Sequence, residues 1–398
     1  MGTYLLTEIK MLEDCAKRDA RYLVDLGCSL AKDGMYSLRG KPLRYRNRLT
    51  VIGCTTEDET FIEPVFGNLY DGVYASLEEI PAEARTDALY LGEISRWGNP
   101  QEALGLCVAF LDLFRIVYYI APSAETDEGT CWHVIRQMDT LSVTYIAATE
   151  DGVMVRVEKK PAPASVKLYI AAHKETSFPA EAGYVPLWLG RAEDNRHGYA
   201  DDKKEPSIAD LNPRINECTG LYSIWKHADA DIVGLVHYRR LFLSECETDG
   251  KRTLIGQDEI LSLLSRYDIL VYQLECFSVS LREQMVSSGI TEENSTRAIN
   301  VFSRLIAEHR PDYADAFERV MSGCAFYPCN MLIARKEVFD AYCEWLFGFL
   351  IEAAHELDFD AYDDANRRTA GFLAERMLTV WLVKQDLKIR ELEVTRLE

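Results

Sequence analysis

The sequence predicts an α/β protein of two domains, an N-terminal Rossmann-like one and a C-terminal one on a second, largely parallel sheet. Three observations predict it. Short β-branched or aromatic runs alternate with polar and acidic stretches along the chain, the punctuation of strand and helix in turn. The run Ile232-Val233-Gly234-Leu235-Val236 is continuously apolar, as a strand covered on both faces should be. Lys159-Lys160-Pro161-Ala162-Pro163-Ala164 sets two prolines among alanines, an extended connector. The predicted division is therefore residues 1–160, a linker at 161–165, and residues 166–398.

In the first domain a helix is expected over residues 4–20. Strands are expected to open the segments 21–34, 49–60, 71–84 and 86–97. A buried helix (103–114), an interior strand (115–123) and a hairpin (144–160) turned at Asp151-Gly152 complete it. VDLGC (24–28), the acidic Glu57 after the second strand, SLEEIP (76–81), DALYLGE (87–93) and the antiparallel end together resemble a class I methyltransferase. That resemblance implies a seven-stranded sheet and an S-adenosylmethionine (SAM) cofactor. Gly27, however, is followed by Ser29 and Ala31 where that family needs glycines for close backbone approach. The domain therefore reads as a degenerate methyltransferase or as a Rossmann-like domain without cofactor.

The second domain opens with the strand VKLYIAAHK (166–174), and residues 191–210, with Asp194, Asn195, Gly198, Asp201, Asp202 and Ser207, read as a loop. A helix capped by Asn212 and Pro213 is expected to end near His227, with Cys218, Leu221 and Trp225 on its apolar face. YDILVYQ (267–273) is an interior strand, residues 278–296 a loop, and TRAINVFSRLIAEH (296–309) a helix. Residues 327–357 run strand, turn, long helix. GFLAERMLTVWLVKQ (371–385) is expected to be one helix with Glu375 and Arg376 on its first turns. Trp225, Trp345, Trp381 and Phe347 fall at helical spacing and belong to the core.

The 398 residues carry a formal net charge of −20, which argues against nucleic acid or an anionic membrane as a general partner. An anionic ligand must be met by a local cationic site. Eleven scattered cysteines without a CxxC pair point to buried thiols in a reducing compartment, neither a disulfide framework nor a zinc site. No apolar run reaches the ~18–20 residues of a membrane span, and the opening stretch lacks the apolar core of a secretory leader. The expected location is cytoplasmic, with peripheral membrane association only through partners.

Cations collect where strands end. His173 and Lys174 close the first strand of the second domain, and His237, Tyr238, Arg239 and Arg240 follow the apolar run. Ligands of open α/β sheets bind outside the carboxyl ends of the strands, so this rim would suit a diphosphate. Alternation along a strand would let His237 share a side with Arg239, and Tyr238 with Arg240. Asp229-Ala230-Asp231 precedes the strand and reads as a turn cap. Glu352, Glu356, Asp358, Asp360, Asp363 and Asp364 lack calcium-loop spacing and read as a solvated connection. Asp201 and Asp202 are candidate acids, and Asn330 a candidate hydrogen-bond partner for sugar hydroxyls.

KLYIAAHK, YVPLWLG (184–190), DDKKEPSIADLNP (201–213), ECTGLYSIWKH, DIVGLVHYRRLF, NMLIARKEVFDAYCEWLF and GFLAERML resemble, in order and spacing, one bacterial family over residues 166–398. It is catalogued as a domain of unknown function, and its members are commonly named capsular or exopolysaccharide glycosyltransferases. The resemblance implies a GT-A-like fold and hexosyl transfer from a nucleotide-sugar donor to a glycan or lipid-linked acceptor. It also implies an acid and an arginine near the acceptor, Glu375 and Arg376; Glu375 is the first candidate for the catalytic base, and Asp201 and Asp202 are the runner-up acids. GT-A enzymes usually hold the diphosphate through a divalent metal on an Asp-x-Asp motif; His237 to Arg240 stand in that place, so no metal ligand is assigned, while a divalent metal stays open. The segment 278–296 lacks the histidine expected from the family. Two alternatives remain open: a SAM-dependent glycan methyltransferase working through the first domain, and a carbohydrate-binding scaffold without turnover.

Overall fold

A computed structural model of the chain describes residues 5–18, 20–32, 49–55, 70–122, 140–148, 152–174, 176–190, 195, 197–248, 251–358 and 363–396. Glu57, Asp151, Asp194 and Asp360, singled out above, lie outside the described residues. The chain divides into two compact units, Met1–Lys160 and Pro161–Glu398.

The first unit holds strands β1 (Tyr22–Leu26), β2 (Thr50–Cys54), β3 (Gly72–Tyr74), β4 (Ala88–Glu93), β5 (Ile116–Pro122), β6 (Leu141–Ala148) and β7 (Gly152–Lys159). They form one sheet in the order β3-β2-β1-β4-β5-β7-β6, parallel from β1 to β5 and antiparallel at β7 and β6. The helix Leu5–Lys17 buries Met11, Leu12 and Cys15 in one core, and the helix Pro100–Phe110 buries Ala103 and Cys107 in a second. Arg156 is buried yet charged, because Asp14 and Glu158 pair with it at 2.7 and 2.9 Å.

Strand order reverses between β1 and β4, the position at which doubly wound sheets open a ligand crevice. Gly27 and Cys28 turn the chain there with φ of 80° and 51°. The buried Asp25 accepts the amides of Ser29 and Leu30 at 2.9 and 2.8 Å and the Tyr70 hydroxyl at 2.6 Å. The Ser29 side chain lies directly against Gly92. These residues do not fit an adenosyl cofactor: the amides a ligand would meet are satisfied by the chain's own carboxylate, and a side chain fills the space over the neighbouring strand end.

The second unit holds β8 (Val166–Ala172), β9 (Tyr184–Trp188), β10 (Ala200–Asp201), β11 (Ile232–His237), β12 (Arg240–Thr248), β13 (Lys251–Leu254), β14 (Ile269–Tyr272), β15 (Glu275–Cys276), β16 (Ala325–Phe326), β17 (Leu332–Arg335), β18 (Ile389–Leu392) and β19 (Val394–Arg396). The main sheet runs β10-β9-β8-β11-β17-β14-β18, with β17 antiparallel to both its neighbours. β12 joins β11 and carries β13 and β19, while β15 and β16 pair apart.

Strand β11 is buried along Ile232–Val236, between one core around Val233 and Leu235 and another around Ile232 and Val236. Its glycine is a packing requirement. A Cβ on Gly234 would stand 2.8 Å from the Leu332 carbonyl oxygen and 2.9 Å from side-chain carbons of Ile333 and Leu168. Gly234→Ala should therefore cost ~1–3 kcal/mol by overpacking, read as a lowered midpoint in chemical denaturation.

Several helices differ from expectation. The helix begun at Asn212 stops at Ile215, breaks at Asn216 with φ 51°, and resumes as Cys218–His227. Residues 278–296 are not a loop but hold the helix Leu281–Ser287 and the start of Glu292–His309. Ser280 and Glu283 close the first of these with a capping box. The expected helix 371–385 is two short ones, Thr369–Ala374 and Met377–Leu382, which put Glu375 and Arg376 at their junction. Trp345, Trp381 and Phe347 are buried, and Trp225 is half-buried and stacked on Phe347 with centroids 5.9 Å apart. The thiols are not uniformly buried: Cys276 and Cys324 are exposed. Among the described residues no helix is long and apolar enough to cross a membrane.

Candidate active site

The sheet of the second unit reverses order between β8 and β11, since β9 and β10 extend it on one side and β17 on the other. The crevice of an open α/β sheet belongs at this point, beyond the carboxyl ends of the two strands. The cationic residues stand there. β8 and β11 run parallel with Ala171 opposite His237, so His173 reaches the Tyr238 ring edge-on, with centroids 5.5 Å apart.

His237 to Arg240 are not an extended strand end. They form a two-residue turn in which Tyr238 and Arg239 link His237 directly to its partner Arg240. Directly opposed residues of an antiparallel pair share a face, so His237 lies with Arg240 rather than with Arg239. Arg239 is exposed, 5.3 Å from the Tyr238 ring. Among the described residues no carboxylate forms an ion pair with Lys174, Arg239 or Arg240. Among the described residues, three cations without an ion-pair partner thus stand at this rim in a chain of net charge −20, an arrangement able to meet an anion.

Because β17 runs antiparallel, its amino end comes to the same rim, with Leu332 opposite Leu235. The residues before it, Cys329 and Asn330, both adopt left-handed backbone, with φ of 66° and 51°. Two adjacent non-glycine residues in that region are strained, and other groups hold them. The Cys329 amide donates to Glu375 Oε2 at 3.0 Å. The Cys329 carbonyl accepts from His237 Nε2 at 2.8 Å; a carbonyl can only accept, so this nitrogen carries the proton. The Asn330 side-chain amide donates to Glu217 Oε1 at 2.8 Å, and its oxygen accepts from the Tyr342 hydroxyl at 3.4 Å.

Burial, reinforced by the charge of Glu217, pushes the half-buried Glu375 carboxyl up to about 7. Burial also lifts Glu217 above the usual carboxyl range, against the hydrogen bond from Asn330. The His237 imidazole is drawn down to about 4, chiefly by burial and secondarily by Arg240, against the opposing charge of Glu375. At neutral pH His237 is thus an uncharged donor that orients the Cys329 turn. The positive charge of the rim belongs to the arginines and Lys174.

The other residues predicted for the site have their side chains engaged within the architecture. Asn330 is fully buried and holds Glu217. Asp202 is buried and accepts from the Gly190 amide at 3.2 Å and the Thr219 hydroxyl at 2.7 Å, which ties down the β9–β10 region. Asp201, half-buried, accepts from the Lys203 amide at 3.0 Å. Arg376 points inward, donating to the Phe372 carbonyl and to Gln284, with its guanidinium 4.4 Å from the Phe326 ring centroid. Asp229 pairs with Lys167, and Asp231 accepts from the Ser165 amide and hydroxyl at 2.8 and 2.7 Å. Both lie at the amino end of β11, one strand length from the rim, and do not fit a metal-bound diphosphate. Glu217 was not singled out from the sequence, although it lies on the apolar stripe of its helix with Leu221 and Ile224.

Residues 167–386, more than half of the chain, match a family model described as a domain of unknown function, DUF4422. No curated protein matches the chain. Among solved structures, the apo form of the bifunctional glycosyltransferase WbbM is similar at 26% identity and a TM-score of 0.48, covering 59% of this chain and 45% of its own. The chain thus spans less than half the length of that enzyme. An rRNA methylase from Escherichia coli is 15% identical with a TM-score of 0.25, covering 39% of this chain and 64% of its own. The 16S rRNA methylase ArmA is 11% identical with a TM-score of 0.29, covering 39% of this chain and 84% of its own.

Proposed function

The chain belongs to the family described as a domain of unknown function, DUF4422, and from that footing we propose that its second unit is a glycosyltransferase. It moves a hexosyl group from a nucleotide-diphosphate donor to a glycan or lipid-linked acceptor during capsular or exopolysaccharide assembly, on a GT-A-like fold. The observation that carries this reading is the pairing, at one sheet-order reversal, of cations without ion-pair partners with a carboxyl held near neutrality. The resemblance of the HYRR-containing motifs to glycosyltransferases supports the same reaction.

In the proposed step the acceptor oxygen forms a bond to the anomeric carbon, whose bond to the β-phosphate oxygen breaks. The acceptor proton passes to Glu375, and the electron pair leaves with the nucleoside diphosphate. Arg239, Arg240 and Lys174 meet the charge that grows on the departing diphosphate, with His173 and Tyr238 flanking it. Glu375 is suited to the base role because a group titrating near the working pH combines the right protonation state with adequate proton affinity.

The test is a thermal-shift screen of the full chain with UDP, GDP, dTDP, CMP and SAM, each with and without Mn²⁺. A ligand at 100 times its Kd adds roughly 2.7 kcal/mol. One nucleotide should stabilise the protein and so identify the donor class. Stabilisation by SAM alone would move the chemistry to the first unit, and glycan binding indifferent to every nucleotide would indicate a scaffold.

A further inference from the structure

We infer that Glu217 and Glu375 form one carboxylate pair built on the Cys329–Asn330 turn, in which Glu217 is a positioning residue that helps hold the proton on Glu375. The inference rests on the reading above and deepens it.

Glu217 precedes the helix Cys218–His227, and its side chain makes no cap bond there. It reaches instead to Asn330, 113 residues away in sequence. The neighbouring residue, Cys329, gives its amide to Glu375. One two-residue turn therefore fixes both carboxylates, and its left-handed backbone is strain that the two acids and His237 jointly hold. Arg240 on β12 and Arg368 before the helix Thr369–Ala374 bear electrostatically on Glu217, and Arg376 and His237 on Glu375. The Cys218 and Cys329 thiols also face the pair, and burial keeps both protonated. Arg368 is itself tied to Asn216, at 2.6 Å. None of these groups forms an ion pair with either acid among the described residues, and the charge of Glu217 bears on Glu375 in turn. Like charges held on adjacent residues of one turn do not both ionise freely, and the pair loses its last proton late. Glu217 thereby makes Glu375 a stronger base than a solvated carboxylate.

The experiment is a carboxyl ¹³C NMR titration of glutamate-labelled full-length protein. Wild type should show a carboxyl titrating near neutrality that disappears in Glu375→Gln. In Glu217→Gln, which keeps an oxygen for Asn330, its midpoint should fall by about one pH unit or more. Coupling is reciprocal, so in Glu375→Gln the Glu217 midpoint must fall as well. That second arm serves if Glu217→Gln does not fold. Unchanged midpoints in both variants would overturn the pair. With a transfer assay, Glu217→Gln should also move the acid limb of the pH–rate profile downward, a change that loss of packing alone would not produce. The titration needs no substrate: coupling without nucleotide binding would leave the pair standing and remove the transferase reading, and nucleotide binding without coupling would do the reverse.

Discussion

Glu375→Gln should abolish glycosyl transfer while making the folded protein more stable above neutral pH. Removing a positioned general base costs typically ~10²- to 10⁴-fold in rate, and glutamine cannot take the proton. Its oxygen can still accept from the Cys329 amide, so the turn survives. The stability gain follows from linkage. Glu375 is raised to about 7 in the folded chain, so between the ordinary carboxyl range and that point the folded state binds more protons than the unfolded one. The stability associated with protonated Glu375 is fully present below the ordinary carboxyl range and is lost as pH rises to about 7. Wild type thus bears a cost on the order of 1–3 kcal/mol at alkaline pH that the glutamine variant does not. Thermal unfolding at about pH 5 and about pH 8.5 checks it: the variant should gain at the higher pH and differ little at the lower. A variant less stable at both would show Glu375 to be a structural acid.

Arg240→Ala should lower kcat/KM by ~10²- to 10³-fold, the range for losing one preorganised donor to a developing anion. It should also weaken nucleoside diphosphate binding in the thermal-shift assay. Arg240→Lys should recover only part of the loss, because an ammonium cannot offer the two-pronged contact of a guanidinium. No described carboxylate loses an ion-pair partner when Arg240 is cut back, so the fold should tolerate the change. Full activity in Arg240→Ala would place the diphosphate elsewhere.

Much of this arrangement can be read from the residues. The apolar run at β11 marks a strand buried on both faces, and it is one. The alternation in residues 21–160 marks a parallel sheet ending in a hairpin, and the strand pairing shows both. What the sequence hides is mainly where helices and strands stop. GFLAERMLTVWLVKQ has unbroken helical periodicity, yet the chain divides at Glu375–Arg376, where burying Arg376 against Phe326 overrides local preference. The turn at His237 to Arg240 is hidden in the sequence because neither Tyr238 nor Arg239 is a turn-forming residue, while β12, which follows it, pairs on with β19. Two signals do stand in the sequence. Ser280-Leu281-Arg282-Glu283 has the spacing of a capping box, and Glu217 is a charge on an apolar stripe.

The pairing of β12 with β19 also bears on the order in which the protein can be assembled. Arg240 is held to β11 by one residue pair and lies opposite Arg396 on its other side, with Leu241 and Phe242 opposite Thr395 and Val394. A contact between residues this distant in sequence closes late, because the long intervening loop must be ordered first. The sheet of the first unit is complete within residues 22–159 and can form while the rest of the chain is still being synthesised. The arginine rim cannot be completed until residues 394–396 have emerged. A nascent chain lacking β19 would present a finished first unit and a half-built crevice, and the nucleotide response proposed for the crevice would follow only when that strand is in place.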